Sequence, residues 1–159
     1  MNTQEFWSII DRSQSGADRQ RQLDLLSQEL RSLSQYEYQS LVEHFCKLTD
    51  DLRHRDEIVN AAYLAYEECI SSDTLDYFCW WLVSMGQSTF AEIATNPDVI
   101  TDLMGIHKDP NFEEFGAMVY CRNDELMPFE ATLQRPKIRD QIWPSPVLEK
   151  RLPRLFANK

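Results

Sequence analysis

The residues of this chain that could do chemistry are carboxylates and aromatic rings that lie close together in the sequence. Asp73, Asp76 and Trp80 occur within one short run, and the doublet Glu67-Glu68 precedes it. Buried aromatic side chains anchor protein interfaces, and carboxylates around them attract a basic partner and speed its encounter. The pattern therefore predicts a partner-binding site at Asp73, Asp76, Trp80, Glu67 and Glu68.

Patterns for catalysis and metal binding are missing from the sequence. The three histidines, His44, His54 and His107, fall on separate predicted elements. Neighbouring residues on a helix diverge by about 100°, so neither Glu67-Glu68 nor Glu113-Glu114 forms a paired general acid and base. A glycine-rich phosphate loop, a C-x-x-C pair and a Gly-x-Ser-x-Gly motif are absent from the sequence. We predict no catalytic residue, no metal and no cofactor, and we expect a binding protein rather than an enzyme.

The charge of the chain constrains its partners. With 26 acidic and 16 basic residues among 159, the formal net charge is −10. Such a protein repels the phosphate backbone of nucleic acids and attracts basic proteins. Nine acidic residues and no lysine or arginine lie between Arg55 and Lys108, whereas residues 131–159 carry seven bases and two acids. We therefore expect a basic protein partner and no nucleic acid, and the C-terminal residues complement the acidic middle of the chain.

The sequence carries no sign of export or membrane insertion. No stretch approaches the roughly 20 apolar residues of a membrane helix. Glu5 and Asp11 stand where a signal peptide has basic and then apolar residues. We expect a cytoplasmic protein without membrane contact, and the sequence assigns no oligomeric state. The cysteines show no metal or redox spacing, so we expect free buried thiols at Cys46, Cys69, Cys79 and Cys121.

Hydrophobic periodicity and capping signals predict helices along most of the chain. Ser34 and Glu37 form a capping box that opens one helix. Another helix is predicted from about Arg55 to Cys69, and a later one ends at Gly105. Windows that alternate apolar and polar residues, which would predict strands, are short. The predicted fold class is all-α: a compact multi-helix bundle of residues 1–130, with residues 131–159 as an extended basic tail packed on the same domain.

The predicted helix from Asp73 to Gly86 has two possible placements. At about 100° per residue, Trp80 lies with Asp73, Asp76 and Val83 on the side opposite the main apolar side. Such a helix is either sandwiched in the middle of a bundle or shows one aromatic ring to a partner. In the ordinary alternative, Trp80 is internal and the two aspartates are early-turn carboxylates stabilised by the helix dipole. The pattern favours this structural explanation over a binding role for these residues.

Residues 131–159 differ from the rest of the chain in their proline content. Proline lacks a backbone donor and disfavours the helical conformation in the preceding residue, so an extended segment is expected. The segment is too apolar for a free linker, because Trp143 and Phe156 would be exposed. We expect it to wrap over the helical body, although it could instead be a detachable ligand for another protein. Four of the seven prolines lie here: Pro136, Pro144, Pro146 and Pro153.

Several motifs resemble those of one bacterial family. They are Phe6-Trp7, Asp76-Tyr77-Phe78, Trp81-Leu82, Gly86, Phe90, Asn96-Pro97-Asp98 and Leu152-Pro153-Arg154-Leu155-Phe156. Phe-x-x-Trp-Leu-x-x-x-Gly with a downstream Asn-Pro-Asp is an unusual combination. Together these motifs resemble the domain of unknown function 4240 family. The resemblance implies a compact, mostly helical bacterial protein, and it supplies no established activity or catalytic residue.

These patterns predict a small, acidic, cytoplasmic protein-binding module. Its basic partner could be a toxin, which would make the protein an immunity protein. The alternative is a small-ligand binder or an enzyme with a pocket between helices, built from Tyr63, Tyr66, Glu67 and a histidine. A third hypothesis is regulatory: a partner displaces the basic tail from the acidic face.

Overall fold

The computed structural model describes residues 1–15, 18–67, 69–107, 109–122, 125–126 and 138–158. The elements are α1 Thr3–Ser13, α2 Arg19–Ser32, α3 Gln35–Arg53, α4 Asp56–Ala65, α5 Ser72–Ser84, α6 Gln87–Thr95, a 3₁₀ turn Pro97–Val99, α7 Ile100–His107, α8 Glu113–Tyr120, β1 Cys121–Arg122, β2 Glu125–Leu126, α9 Ile138–Gln141, α10 Ser145–Arg151 and α11 Pro153–Ala157. β1 and β2 form a short antiparallel pair. The all-α prediction is confirmed. Among the described residues, no helix has the length and apolar character needed to cross a membrane.

Capping boxes begin the helices α3 and α5. The predicted box of α3 is confirmed: the Ser34 side chain accepts from the Glu37 N–H, and the Glu37 carboxylate accepts from the Ser34 N–H at 2.8 Å. The cap of α5 is Ser71, paired reciprocally with Thr74, and not Asp73 as the sequence suggested. Asp73 instead lies in the first turn, where its negative charge is favoured by the helix dipole.

α5 runs through the middle of the bundle, where it contacts α3, α4, α6 and α8. Val83 was expected on the side opposite the core, but it is fully buried. α5 is therefore sandwiched in the bundle, while Trp80 on its outer side is only partly buried. Neighbouring helices can cover α5 on nearly every side because most of its residues are apolar or small. Its buried residues are Leu75, Asp76, Phe78, Cys79, Trp81, Leu82, Val83 and Ser84.

The ends of α4, α5 and α7 can be compared with the helix ends predicted from the sequence. Gly86, just after α5, has a φ of 85°, a conformation that glycine adopts without strain. α4 ends at Ala65 rather than near Cys69, because the chain turns at Glu67 with a φ of 52°. Gly105 does not end α7 but lies inside it. Glycine in a helix costs only about 1 kcal/mol relative to alanine, so it is a weaker stop signal than a glycine with positive φ.

The part of the C-terminal region that the structure describes, residues 138–158, is mostly helical and not extended as expected. We call these residues the C-terminal segment. Pro146 and Pro153 lie in the first turns of α10 and α11. The backbone N–H of such a position has no partner within the helix, so the missing donor of proline is tolerated there. Pro136 and the rest of 131–137 lie outside the described residues.

The C-terminal segment packs on the body of the bundle. α9 contacts α4, and α11 contacts α4, α7 and the 3₁₀ turn. Two of its bases meet acids of the middle stretch: Arg151 lies 3.5 Å from Glu57, and Arg154 pairs with Asp102. The segment also contributes three leucines to the main hydrophobic core: Leu148, Leu152 and Leu155.

Candidate functional site

Two of the predicted binding residues lie with two further residues where α5 meets α8. Asp73 is exposed in the first turn of α5, and Trp80, two turns later, is partly buried. Tyr77 lies between them, and its ring centroid is 5.3 Å from that of Trp80. Glu113, exposed in the first turn of α8, lies beside the Tyr77 hydroxyl. We call these four residues the α5–α8 face.

Trp80 is positioned by its contact with the backbone of α8. A Cβ atom at Gly116 would lie only 2.1 Å from Cε3 of Trp80, so the ring can occupy this place only because residue 116 is glycine. Tyr120 meets the same ring edge-on, with centroids 5.7 Å apart. The indole Nε1 is shielded from solvent and has no hydrogen-bond partner among the described residues. α8 therefore covers part of Trp80 and leaves part of it accessible.

The α5–α8 face is electronegative. The pKa of the Tyr77 hydroxyl lies above its usual value, first because of partial desolvation and then because the carboxylates of Glu113 and Asp73 oppose its ionisation. Within the described parts of the chain, neither carboxylate forms an ion pair with a lysine, arginine or histidine. The face thus combines two neutral rings with two carboxylates that have no cationic partner among the described residues.

Asp76 does not share the exposure of Asp73, although it lies only three residues further along α5. Its carboxylate is 2.5 Å from Nε of Arg53 on α3, and the two residues are only 8% and 7% exposed. Asp50 lies 3.8 Å from the same guanidinium. A pocket of about 20 Å³ beside the pair has room for roughly one water molecule. Asp76 therefore neutralises a buried arginine, and it does not lie on the exposed face with Asp73.

Of the glutamate doublet, only Glu67 lies among the described residues. Glu67 is exposed in the turn that follows α4. The preceding Tyr66 donates a hydrogen bond to the Pro110 carbonyl at 3.0 Å. None of the contacts described in the structure joins Glu67 to Tyr77 or Trp80, and Glu68 lies outside the described residues. Of the five predicted residues, the structure brings together two, Asp73 and Trp80.

The residues proposed for an inter-helical pocket do not converge in the described structure. His44 and His54 each place Nδ1 2.8 Å from a carbonyl of their own helix. Burial raises the pKa of the Tyr66 hydroxyl well above its ordinary value, so this group stays neutral. A depression of about 790 Å³ between the starts of α1 and α3 is lined by other residues, among them the exposed Tyr36. It includes none of the expected pocket residues: Tyr63, Tyr66, Glu67 and a histidine.

The cysteines show no reactive arrangement among the described residues. Burial raises the pKa of the Cys79 thiol to about 12 and also raises that of Cys46, so both are protonated at neutral pH. Cys69 is exposed, which corrects the expectation that all four thiols are buried. In the described parts of the chain, no group of three or more His, Cys, Asp and Glu side chains could hold a metal ion.

Sequence reasoning missed several residues that shape the site. Gly116 was detectable in principle, because a glycine inside a helix often marks a close approach. Glu113 was interpreted only as part of a solvated doublet, and Tyr77 was not singled out. Arg53 gave no local signal of its pairing with Asp76, because the pair joins two helices that are separated in the sequence.

Comparison with known proteins identifies the family. The family model described as Protein of unknown function (DUF4240) matches residues 1–125, which include α1 to α8 and the whole α5–α8 face. The Leu152–Phe156 motif, which also suggested the family, lies beyond this match. No curated protein and no solved structure matches the chain. Because the match extends over far more than half of its residues, the chain belongs to the DUF4240 family.

Proposed function

We propose that this protein is a binding module that holds a basic region of a partner protein on its α5–α8 face. The observation that carries the proposal is the partly exposed ring pair of Tyr77 and Trp80, bordered by Asp73 and Glu113. Aromatic side chains supply anchoring area and attract cations to their faces. An arginine fits this combination best, because its planar guanidinium both stacks on rings and pairs with carboxylates.

Three arginines of the bundle are already engaged by other groups. Arg53 is buried in its pair with Asp76. Arg55 donates to the Ala94 carbonyl at 2.9 Å, and Arg19 lies over the Phe112 ring with its guanidinium carbon 5.0 Å from the centroid. None of these three arginines forms an ion pair with Asp73 or Glu113, which supports a cation from another molecule as the partner of the face.

The partner class follows from the charge of the whole protein. A net charge of −10 speeds the approach of basic proteins and disfavours nucleic acid. Proteins that bind nucleic acids or other anions carry such basic surfaces, and toxins that attack nucleic acids are among them. We therefore propose a cytoplasmic immunity protein that covers the basic site of a toxin.

The test is binding to the product of the neighbouring gene, where an immunity protein and its toxin are expected together. The purified partner is titrated calorimetrically with the wild-type protein and with Asp73→Lys and Glu113→Lys. Each reversal places a like charge against the partner and should weaken binding at least tenfold. The loss should shrink as salt rises from 50 to 300 mM, since exposed charges are screened, to a Debye length of roughly 10 Å at 0.1 M.

Glu92→Lys is the matched control, because Glu92 is an exposed carboxylate on α6, a helix that is not part of the α5–α8 face. It changes the net charge equally and should leave the affinity within about twofold, as an exposed charge outside the interface does. Equal weakening by all three reversals would show that net charge alone drives binding. A neighbour that does not bind at all would refute the immunity assignment.

A further inference from the structure

The C-terminal segment is held by side chains that bind its backbone. Asn60 on α4 is completely buried and contacts the segment through both atoms of its amide group. Its Oδ1 accepts from the Trp143 N–H at 2.8 Å, and its Nδ2 donates to the Gln141 carbonyl at 2.9 Å. Buried polar groups need such partners, so Asn60 is matched to the backbone of the segment.

A second such contact lies at the start of α11. The carboxylate of Asp98, only 6% exposed, accepts from the N–H groups of Arg154 and Leu155 at 3.1 Å. A helix normally takes its cap from the residue that precedes it, but here a residue of the 3₁₀ turn supplies the cap. Asp98 thus fixes where α11 begins on the body.

Side chains of the segment fill the rest of the contact. Leu148, Leu152 and Leu155 are no more than 3% exposed. Around these leucines, Arg151 pairs with Glu57 and stacks over the ring of Trp143, with 4.8 Å from guanidinium carbon to centroid. Backbone bonds combined with apolar slots and peripheral charges are the means by which proteins hold peptides.

The residues that hold the segment lie inside the family match, whereas the segment lies outside it. α9, α10 and α11 are four, seven and five residues long. Helices of this length are not stable alone in water, so the segment depends on the body for its structure.

We propose that the surface formed by α4, the 3₁₀ turn and α7 is a peptide-docking site, and that the C-terminal segment, residues 138–158, is its built-in ligand. The site binds a segment of the type Leu-Pro-Arg-Leu. Asp98 binds backbone N–H groups of this segment, and the apolar slots hold its leucine side chains. The body keeps its fold when the segment leaves, and the vacated site accepts the same sequence from outside.

The test uses the full chain. Leu155→Asp places a carboxylate in a slot beside Asp98 and undocks the segment while leaving the docking site intact. The binding of a fluorescein-labelled peptide of residues 138–158 is then measured by fluorescence anisotropy. The peptide should bind Leu155→Asp at least tenfold more tightly than wild type, whose own segment competes at an effective concentration in the millimolar range. The same peptide with its own Leu155→Asp change should not bind.

Two further variants test the role assigned to Asp98. Adding Asp98→Ala to Leu155→Asp should weaken peptide binding about fivefold, the loss expected for one helix cap. Adding Asp102→Ala is the matched control and should change binding less than about twofold, because its pair with Arg154 is exposed. Failure of the peptide to bind would overturn the proposal. Loss of helicity throughout Leu155→Asp, measured by circular dichroism, would also overturn it, because the segment would then be inseparable from the core.

Discussion

Substitution of Asp76 by leucine gives the sharpest test of how α5 is held in the bundle. The substitution removes the carboxylate that lies 2.5 Å from Nε of Arg53, and Arg53 is only 7% exposed to solvent. Removing one partner of a buried ion pair costs about 3–5 kcal/mol. Asp50 remains 3.8 Å from the guanidinium, so we expect the lower end of this range, about 3 kcal/mol. That is a large fraction of a typical domain stability of roughly 5–15 kcal/mol.

Urea unfolding followed by circular dichroism measures this loss of stability, and two further variants serve as comparisons. Asp73→Leu makes the same change three residues earlier on α5, at an exposed position, and should cost no more than about 1 kcal/mol through the helix dipole. The double variant Arg53→Met with Asp76→Leu removes both buried charges. It should be more stable than Asp76→Leu alone, because no unpaired charge remains.

Equal losses in the free energy of unfolding of Asp76→Leu and Asp73→Leu would refute the role of Asp76 as partner of a buried charge. A double variant less stable than Asp76→Leu would also refute it, because the cost would then come from packing rather than from the unpaired charge of Arg53. The m-values of all variants should agree, so that differences in midpoint report differences in stability.

Two further predictions concern Gly116 and the cysteines. Gly116→Ala should destabilise the protein by about 1–3 kcal/mol because the Cβ of alanine would overlap the Trp80 ring, although alanine favours helices. The wavelength of tryptophan fluorescence should shift as the ring moves, and a more stable variant with unshifted fluorescence would contradict the contact. Iodoacetamide at pH 7.5 should label the exposed Cys69 first, and it should label Cys79, whose pKa is raised to about 12, only after unfolding. Mass spectrometry shows the order of labelling, and early labelling of Cys79 would contradict its burial.

The sequence predicted the helical class and several caps, but not how many neighbours cover α5. Periodicity separates the apolar side of a helix from the polar side, and it placed Val83 and Asp76 on the outer side. Val83 is buried because α5 has neighbours around most of its circumference. Asp76 is buried because Arg53 reaches it from another helix. Both facts depend on the packing of separate elements, which a single-helix pattern does not contain.

In the C-terminal segment, sequence patterns did not predict the helices for a different reason. Proline was interpreted as a helix breaker, whereas Pro146 and Pro153 start helices. At Asn96-Pro97, by contrast, the residue before the proline supplies the side-chain cap, a signal that the sequence itself contains. α10 and α11 lack a side-chain cap from the residue before them. The cap of α11 comes from Asp98, so only the folded structure reveals it.

The distant cap on α11 has a consequence for synthesis of the chain. Asp98 lies 56 residues before Arg154, and Asn60 lies 83 residues before Trp143. Ribosomes add about 5–20 residues per second, so the helical body emerges seconds before the segment that covers its apolar slots. During that interval the excess of acidic residues keeps nascent chains apart by repulsion. The negative charge of the body therefore opposes the association of chains whose apolar slots are still uncovered.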